Sequence, residues 1–553
     1  MIGVIADTAE YDVISEFFEL FKTPWEFCQS GRRYDVLLCT GDRTVDAIAA
    51  NLILIYCGQT LVSGATEQGA NGAGKNNRIL LHKGKRIPIY GASQDFKGET
   101  QDLLLDEESQ HLAMYDRQSP DRMVIRLGYD LFREVSILLT EGQPAANAEI
   151  PTLDLHIALL RDLIVENGIP LVEIPPVPEG HEFITCLTHD VDHPSIRVHR
   201  WDHTILGFLH RAVFGSVVNV LQGRSTIREL CTNWLAALRL PAVYLGLAKD
   251  FWLGFDSSYL EVEKGLSSTF FVIPFSDNPG RNSNGAAPSF RAARYGVRDI
   301  APTIRRLLAA GCEVALHGID AWMDSSTGRE ELDEIRQITG ISEIGVRMHW
   351  LYYDRRSPAL LDDAGASYDS TMGYRETVGY RAGTTQVYKP LGARRLLELP
   401  MHVMDTALFY PAYMGLSQRQ AKGVLGRLTD TVSYAGGCLT INWHDRSLAP
   451  ERLWRECYCE LVQNLKDRST WFATASQAVS WFRKRRSVVF EADGFDAESV
   501  RARIAVEHND NVPGLRLRIY NADESREVGT HRKRYVDIPF HENMNSRACC
   551  VAG

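Results

Sequence analysis

The chain has 553 residues, 60 Lys+Arg against 70 Asp+Glu, a formal net charge of −10 and 45% hydrophobic residues. That length accommodates about three or four domains with ample cores, and the ordinary charge and apolar content exclude wholesale disorder. The acidic balance supplies no global attraction for nucleic acid; the local run Phe482-Arg-Lys-Arg-Arg486 reads as a solvated helix end.

No uninterrupted apolar stretch of about 18 residues occurs, and the start, Met1-Ile-Gly-Val-Ile-Ala-Asp7, carries neither a basic leader nor a long apolar core. No transmembrane segment and a cytoplasmic location are therefore the expectation. The 11 cysteines are scattered from Cys28 to Cys550 without a C-x-x-C pair and read as reduced, structural thiols.

Residues 1–95 read as a small α/β domain, with an amphipathic run over Tyr11–Phe21 and strand-like runs at Tyr34–Cys39 and Arg86–Tyr90. Residues 96–180 read as a helical connecting segment, with helical patterns around Gly128–Leu139 and Leu153–Glu166, closed by the Pro-rich linker Ile174-Pro-Pro-Val-Pro-Glu-Gly180. From 181 to 485, strand-like runs (Phe183–Leu187, Ser268–Ile273, Glu313–Leu316, Gly345–Met348, Cys438–Ile441) alternate with helical ones (Val297–Ala310, Arg329–Ile338), the signature of a parallel α/β sheet or barrel. A helical insert at about 194–260 contains the apolar pattern Ile205–Leu221. His210 and Arg211 interrupt it, which argues against a membrane span and leaves a helical cap or a peripheral membrane contact open. Residues 488–553, with alternating runs at Leu515–Tyr520 and Tyr535–Phe540, read as a small β appendage.

Gly69-Ala-Asn-Gly-Ala-Gly74-Lys75 has the spacing of a phosphate-binding loop, but Asn76 stands where Ser or Thr would hold Mg²⁺ and Arg78–Leu81 reads as strand rather than helix. A flexible surface loop is the expectation, with a nucleotide-using enzyme as the weaker alternative.

A second set of polar residues lies just beyond apolar strands: Thr188-His-Asp190-Val-Asp192-His193, Leu316-His317-Gly-Ile-Asp320, Arg347-Met-His349-Trp350 and Trp443-His444-Asp445. In parallel α/β folds the carboxyl ends of the strands form one rim, so these groups can share a mouth. Carboxylates and imidazoles together suit a divalent metal, and a further carboxylate and histidine suit proton transfer, which is the equipment of metal-assisted amide or ester hydrolysis. Read blandly, Asp190 and Asp192 are loop-capping carboxylates, His349 and His402 ordinary hydrogen-bonded histidines, and Trp350 and Trp443 core packing.

In order and spacing, Thr188-His-Asp190-Val-Asp192, Ser268–Val272, Ala315-Leu-His317-Gly318, Gly345-Val-Arg347, Tyr368-Asp369-Ser-Thr371, Leu397-Glu-Leu-Pro400 and Trp443-His444 resemble the motifs of the polysaccharide deacetylase (NodB-homology) family. The resemblance implies a distorted (β/α) barrel over 181–485 and a divalent metal, zinc or a similar cation. It also implies removal of an N- or O-acyl group from an acetylated carbohydrate such as a surface-glycan precursor. It casts Asp190 as general base, Arg347 as its holder, His444 as general acid, and Asp192 and His317 as metal ligands. Trp350 falls at the oxyanion-stabilising position, Trp443 and Arg381 are candidates for lining the substrate site, and His193, Asp320, Asp369 and Glu398 are candidates for supporting the ligands. Where the family carries a second histidine four residues after the first, this chain has Ala321. Either Asp320 substitutes, or the metal site is lost, or a ligand comes from elsewhere; His349 beside Arg347 is the favoured source. A catalytically silent glycan- or protein-binding relative is the alternative function.

Overall fold

In the computed structural model, residues 1–41, 49–57, 70–75, 78–96, 105–107, 112–119, 122–199, 202–221, 226–492, 500–505, 511–520, 535–540 and 543–544 are described. The chain divides into two compact units, the first of Met1–Gly180, Tyr380–Leu391 and Ser480–Gly553, the second of His181–Gly379 and Gly392–Val479.

The first unit is built on a six-stranded sheet. Its strands Ile2–Ile5, Trp25–Phe27, Tyr34–Thr40, Ala50–Tyr56 and Arg122–Leu127 run parallel, and Ala113–Ser119 closes one edge as an antiparallel hairpin partner. Helix Tyr11–Phe21 forms where Val13, Ile14, Phe17, Phe18, Leu20 and Phe21 recur at helical spacing and bury one face. Helices Leu131–Thr140 and Thr152–Glu166 follow, as their periodicity predicts. The hairpin at 113–127 is a departure from the helical reading of 96–180. Its outer strand carries Asp116, Arg117 and Gln118, so it shows no run of apolar residues to detect. Leu515–Tyr520 and Tyr535–Phe540 are strands, and they complete a three-stranded antiparallel sheet with Leu171–Glu173. Ala70–Lys75, expected as a loop, is a strand paired with Ser93–Phe96, and strand Arg78–His82 rather than a helix comes after it. Gly69, Asn76, Cys549 and Cys550 lie outside the described residues.

The second unit carries the functional candidates on a seven-stranded sheet: β1 (Phe183–Val191), β2 (Ser268–Val272), β3 (Glu313–Gly318), β4 (Val346–Met348), β5 (Val403–Met404), β6 (Cys438–Asn442) and β7 (Thr470–Phe472). The order is β4-β3-β2-β1-β6-β5, with β7 pairing to the start of β1, and every pair is parallel. All nine residues of β1 are buried, as expected for the central strand of a sheet covered on both faces.

The insert after β1 forms α1 (His203–Leu209), a single π-helical stretch over His210–Gly215, α2 (Ser216–Leu221) and α3 (Ile227–Tyr244). Crossover helices α4 (Ala301–Ala309), α5 (Ser325–Thr339) and α6 (Gln418–Ala435) each bury one apolar stripe. Asp324 caps α5 by accepting from the Thr327 amide, and Ser417 caps α6 in a reciprocal box with Gln420. This is a mixed α/β architecture whose parallel sheet has the open half-barrel form of a distorted (β/α) barrel, with additional small sheets elsewhere in the chain.

Candidate metal centre

Because all strands of the second sheet run the same way, their carboxyl ends deliver residues to one edge. β1 contributes Asp190 and Asp192, β3 His317, β4 Arg347 and His349, β5 Asp405 and β6 Asn442 and His444. Strand alternation places Thr188 and Asp190 on one face of β1, while His189 turns the other way and meets the Trp443 carbonyl oxygen at 2.8 Å.

Asp192, His317 and His349 converge, with one ligand atom from each lying within 4.8 Å of the others. Asp192 Oδ1 is 3.4 Å from His317 Nε2 and 3.7 Å from His349 Nε2. This oxygen is buried and has no hydrogen-bond partner, an arrangement that is costly for a carboxylate unless a cation shares the space. His317 Nδ1 lies 3.0 Å from the Arg347 carbonyl oxygen, which can only accept, so Nδ1 carries the proton and Nε2 keeps its lone pair for a ligand. Two imidazoles and one carboxylate are a donor set that fits a divalent first-row cation. Burial opposes the charge on Asp192, and protonated His317 and His349 rings would hold its carboxyl well below the usual range; with the rings neutral, a bound cation would take that part. Burial depresses His349 to about 3, so it is neutral and available as a donor.

Asp190 sits beside this cluster and is held at both oxygens. Arg347 Nη1 donates to Oδ1 at 2.9 Å and Asn442 Nδ2 to Oδ2 at 2.7 Å. Burial would raise its pKa, but Arg347 and then His317 pull it below the ordinary carboxylate value. Arg347 is itself fully buried, over the Phe271 ring at 4.2 Å. Its remaining donors go to Thr188 Oγ1 (2.8 Å), the Ser370 carbonyl oxygen (3.1 Å) and Ser370 Oγ (3.0 Å). Asp369 and Glu398 lie behind that loop. Thr371 donates to Asp369, the Met372 amide donates to Glu398 at 2.8 Å, and Thr371 Oγ1 in turn accepts from the Met348 amide. Burial raises both carboxyls, Asp369 to about 6 and Glu398 well above its usual value, so the pair holds one proton at neutral pH and supports the Arg347 loop with one negative charge rather than two.

His444 approaches from the opposite side, with Nε2 3.8 Å from Asp192 Oδ2. Asp405 accepts from its backbone amide at 2.8 Å and meets Nδ1 at 2.6 Å. Burial lowers the imidazole's pKa, but Asp405 overrides this and raises it to about 10, so His444 is protonated at neutral pH. Asp405 and Asn442 were not singled out in the sequence. The available signal was Asp405 one residue past the apolar pair Val403-Met404, too short a strand to recognise as such.

The other candidates are distributed more widely. Trp350 is half-buried at the rim, its ring 5.5 Å from Phe290 and 5.6 Å from the Arg375 guanidinium, and its φ of +64° is a left-handed conformation uncommon for a bulky side chain. Trp443 is fully buried, packed against Phe409 and Tyr458. His193 donates its amide to Asp445 at 2.8 Å and its ring meets His199 at 3.1 Å. Asp320 turns to the loop before β3's neighbouring helices, accepting from the Arg281 amide at 2.8 Å. Arg381 belongs to the first unit, where its carbonyl oxygen accepts from the Gln143 amide. Ala321 is buried, and a Cβ added to Gly328 of α5 would come within 3.2 Å of its own, so nothing as large as imidazole fits there.

No family model and no curated protein matches this chain. Among solved structures, a putative polysaccharide deacetylase from Mycobacterium smegmatis is similar at 19% identity and a TM-score of 0.35, covering 56% of this chain and 95% of that one. A probable polysaccharide deacetylase from Pseudomonas aeruginosa PAO1 is similar at 15% identity and a TM-score of 0.33, over 59% and 98%. The peptidoglycan deacetylase PdaC from Bacillus subtilis is similar at 15% identity and a TM-score of 0.19, over 43% and 86%.

Proposed function

We propose that this protein is a metal-dependent hydrolase that removes an acyl group, in the first place N-acetyl, from a carbohydrate. The observation that carries this reading is the meeting, at one strand-end edge, of an Asp-His-His donor set with a carboxylate held ionised and an imidazole held protonated. Asp192, His317 and His349 would hold the cation, zinc being the first choice for such a donor set. A cation bound there would act as a Lewis acid on an acyl carbonyl. Asp190, kept ionised by Arg347 and Asn442, accepts a proton from the attacking water. His444, kept protonated by Asp405, delivers a proton to the departing amine or alcohol. A binding protein would need neither of these opposed protonation states.

The test is metal analysis of the wild type beside His317→Ala and His349→Ala, followed by acetate release from N-acetylated oligosaccharides with Asp190→Asn as control. One equivalent of metal lost in both histidine variants, and acetate release lost in Asp190→Asn, is the expected result. A wild type without metal, or His349→Ala with unchanged occupancy, sinks the ligand set. Metal without release across a panel of acetylated sugars sinks the activity.

A further inference from the structure

Behind His444 lies a group of cations, Arg452 buried and Arg211 and Arg446 half-buried, that the hydrolytic site does not use. Arg446 follows it by two residues, Arg452 ends the short 3-10 turn Pro450–Arg452, and Arg211 reaches in from the π-helical stretch of the insert. Among the described residues none of the three has a carboxylate within ion-pair distance, and their guanidinium groups make a single hydrogen bond between them, from Arg452 Nη1 to Tyr410 Oη at 3.1 Å. Arg452 Nε and Arg211 Nε are buried with no partner. Aromatic rings line the group: Trp252 lies 5.4 Å from Arg446, and Tyr410 and Trp454 lie 5.6 and 5.1 Å from Arg452. Two carboxylates lie nearby without reaching ion-pair distance: Asp445, which accepts from the Arg446 backbone amide, and Glu451, which gives Oε1 to the Trp252 indole at 2.8 Å and leaves Oε2 without a partner. The three cations feel one another. Burial, then Arg452, brings Arg211 down to about 9, and against the effect of burial Arg452, Arg446 and Arg211 pull the Tyr410 hydroxyl to about 7.

Like charges gathered away from bulk water with no ion-pair partner in contact are unfavourable, and a bound anion in contact with them offsets that cost. Three guanidinium groups with most of their donors free match the several oxygens of a phosphoryl group. We infer that Arg211, Arg446 and Arg452 form a phosphoryl subsite next to the metal centre, so that the carbohydrate acted on carries a phosphate ester. The identity of the bound molecule as a carbohydrate rests on the hydrolase reading; the anion site does not.

Calorimetric titration of metal-loaded Asp190→Asn protein separates the two. N-acetylglucosamine 1-phosphate should bind at least about tenfold more tightly than N-acetylglucosamine, and Arg446→Gln and Arg452→Gln should each abolish the difference. Inorganic phosphate should compete, and a nucleotide diphosphate sugar in a parallel arm distinguishes a monoester from a diester source. Equal affinity for the two sugars overturns the subsite while leaving hydrolysis intact, as does an unchanged preference in folded arginine variants. Should the glutamine variants not fold, Arg446→Lys and the wild-type comparison of the two sugars still decide. Phosphate binding without acyl release would keep the subsite and remove the hydrolase.

An independent observation concerns the outer side of the same insert. Helix α3 has two apolar faces. Ala236, Leu240 and Val243 join Ile205, Phe208, Ala212 and Trp252 in a buried cluster. On the other side Ile227, Cys231, Trp234, Leu238, Pro241 and Leu245 recur every three or four residues and face solvent. Leu238, Leu245 and Leu247 are 76%, 73% and 80% exposed, and Phe214 and Leu221 on the neighbouring segment 67% and 82%. The exposed charges flanking these residues are Arg228, Arg239 and Lys249, in a chain whose net charge is −10. His203–Leu221 is long and apolar enough to cross a bilayer by composition, but Ile205, Phe208 and Ala212 are fixed in the core, so the helix is committed to lying flat.

An apolar stripe with an interfacial Trp and cationic flanks is the pattern of a helix seated on anionic lipid. A two-fold contact between copies would instead bring like charges together. We propose that this face docks on an anionic bilayer surface. In flotation with vesicles of equal parts phosphatidylcholine and phosphatidylglycerol, the wild type should rise with the lipid and be released by salt. Leu238→Glu with Leu245→Glu should weaken this about tenfold or more. No flotation overturns the proposal, as does flotation unaffected by the substitutions. A concentration-dependent dimer lost in the same variants, without vesicle binding, also overturns it.

Discussion

Asp405 decides which protonation state His444 holds. The carboxylate meets Nδ1 at 2.6 Å and lifts the imidazole to about 10 against the effect of burial. Because the folded value lies above the unfolded one, the pair stabilises fully below the unfolded histidine pKa of about 6.5, and that stabilisation is lost as pH rises through the folded value. Asp405→Asn should therefore cost about 2 kcal/mol at pH 6 and progressively less toward pH 10, measured by denaturant unfolding. In the same variant the basic limb of the kcat/KM profile should move to lower pH, since the acid loses its proton sooner. A limb that stays in place would mean that His444 is not the proton donor. Asp190, Asp192, His317, Arg347, His349 and His444 were legible in the sequence because each stands in or just past the carboxyl end of an apolar run. Asp405 and Asn442 were not, since the chemistry that singles them out is a contact with residues roughly 40 and 250 positions away, and sequence spacing carries no such information.

At the level of elements, parallel strands explain why the site is where it is, and a helix explains why the donor set takes its form. Position 321 follows β3 by three residues, within the sequence reach of the ligand His317. Helix α5 forbids a ligand there: Gly328 stands directly against Ala321, and Ala364 packs on the same glycine. A glycine here is a consequence of close approach, and the approach leaves room for a methyl group only. Ala321→His should thus destabilise the protein by about 1–3 kcal/mol through overpacking, read from the unfolding midpoint, and should add nothing to metal affinity. Tighter metal binding by this variant would show that the α5 contact yields and that the added imidazole reaches the cation. Sequence periodicity found α5 and five of the seven sheet strands, missing the short β5 and β7, and placed the start of α5 four residues late, at Arg329, because Ser325–Gly328 lacks apolar spacing. The π-helical stretch at His210–Gly215 was hidden inside a run that reads as one continuous helix. Without it Arg211 would have looked like an interruption of an apolar face rather than a residue directed to the other cations.

For the whole chain, the excess of acidic residues has a distribution that matters more than its sum. Several carboxyls are buried and hold protons that the unfolded chain would release: burial raises Glu134 and Glu331 each to about 7 and Asp445 to about 6. Glu331 is instructive, since it accepts from the Ile319 and Asp320 amides at 2.9 and 2.8 Å and so fixes the turn that follows His317. Those bonds favour the charged form, yet desolvation wins. A folded pKa above the unfolded one means that the folded chain binds more protons in between, so stability falls as pH rises from about 4.5 toward 7. Asp190 and Asp192 act in the opposite sense, but their depressed values confine their effect to more acidic solution. Over the same range the buried neutral imidazoles His156, His193, His199 and His349 act the other way, but the raised groups Glu134, Glu331, Asp369, Glu398, Asp445 and His444 outnumber them, so the metal-free protein should unfold at lower denaturant concentration at pH 7.5 than at pH 5.5. Glu331→Gln should reduce that difference whatever it does to stability at either pH alone, because it removes one titrating group from the balance. A difference that persists undiminished in the variant would mean that Glu331 is ionised in the folded protein, with its two amide bonds outweighing its burial.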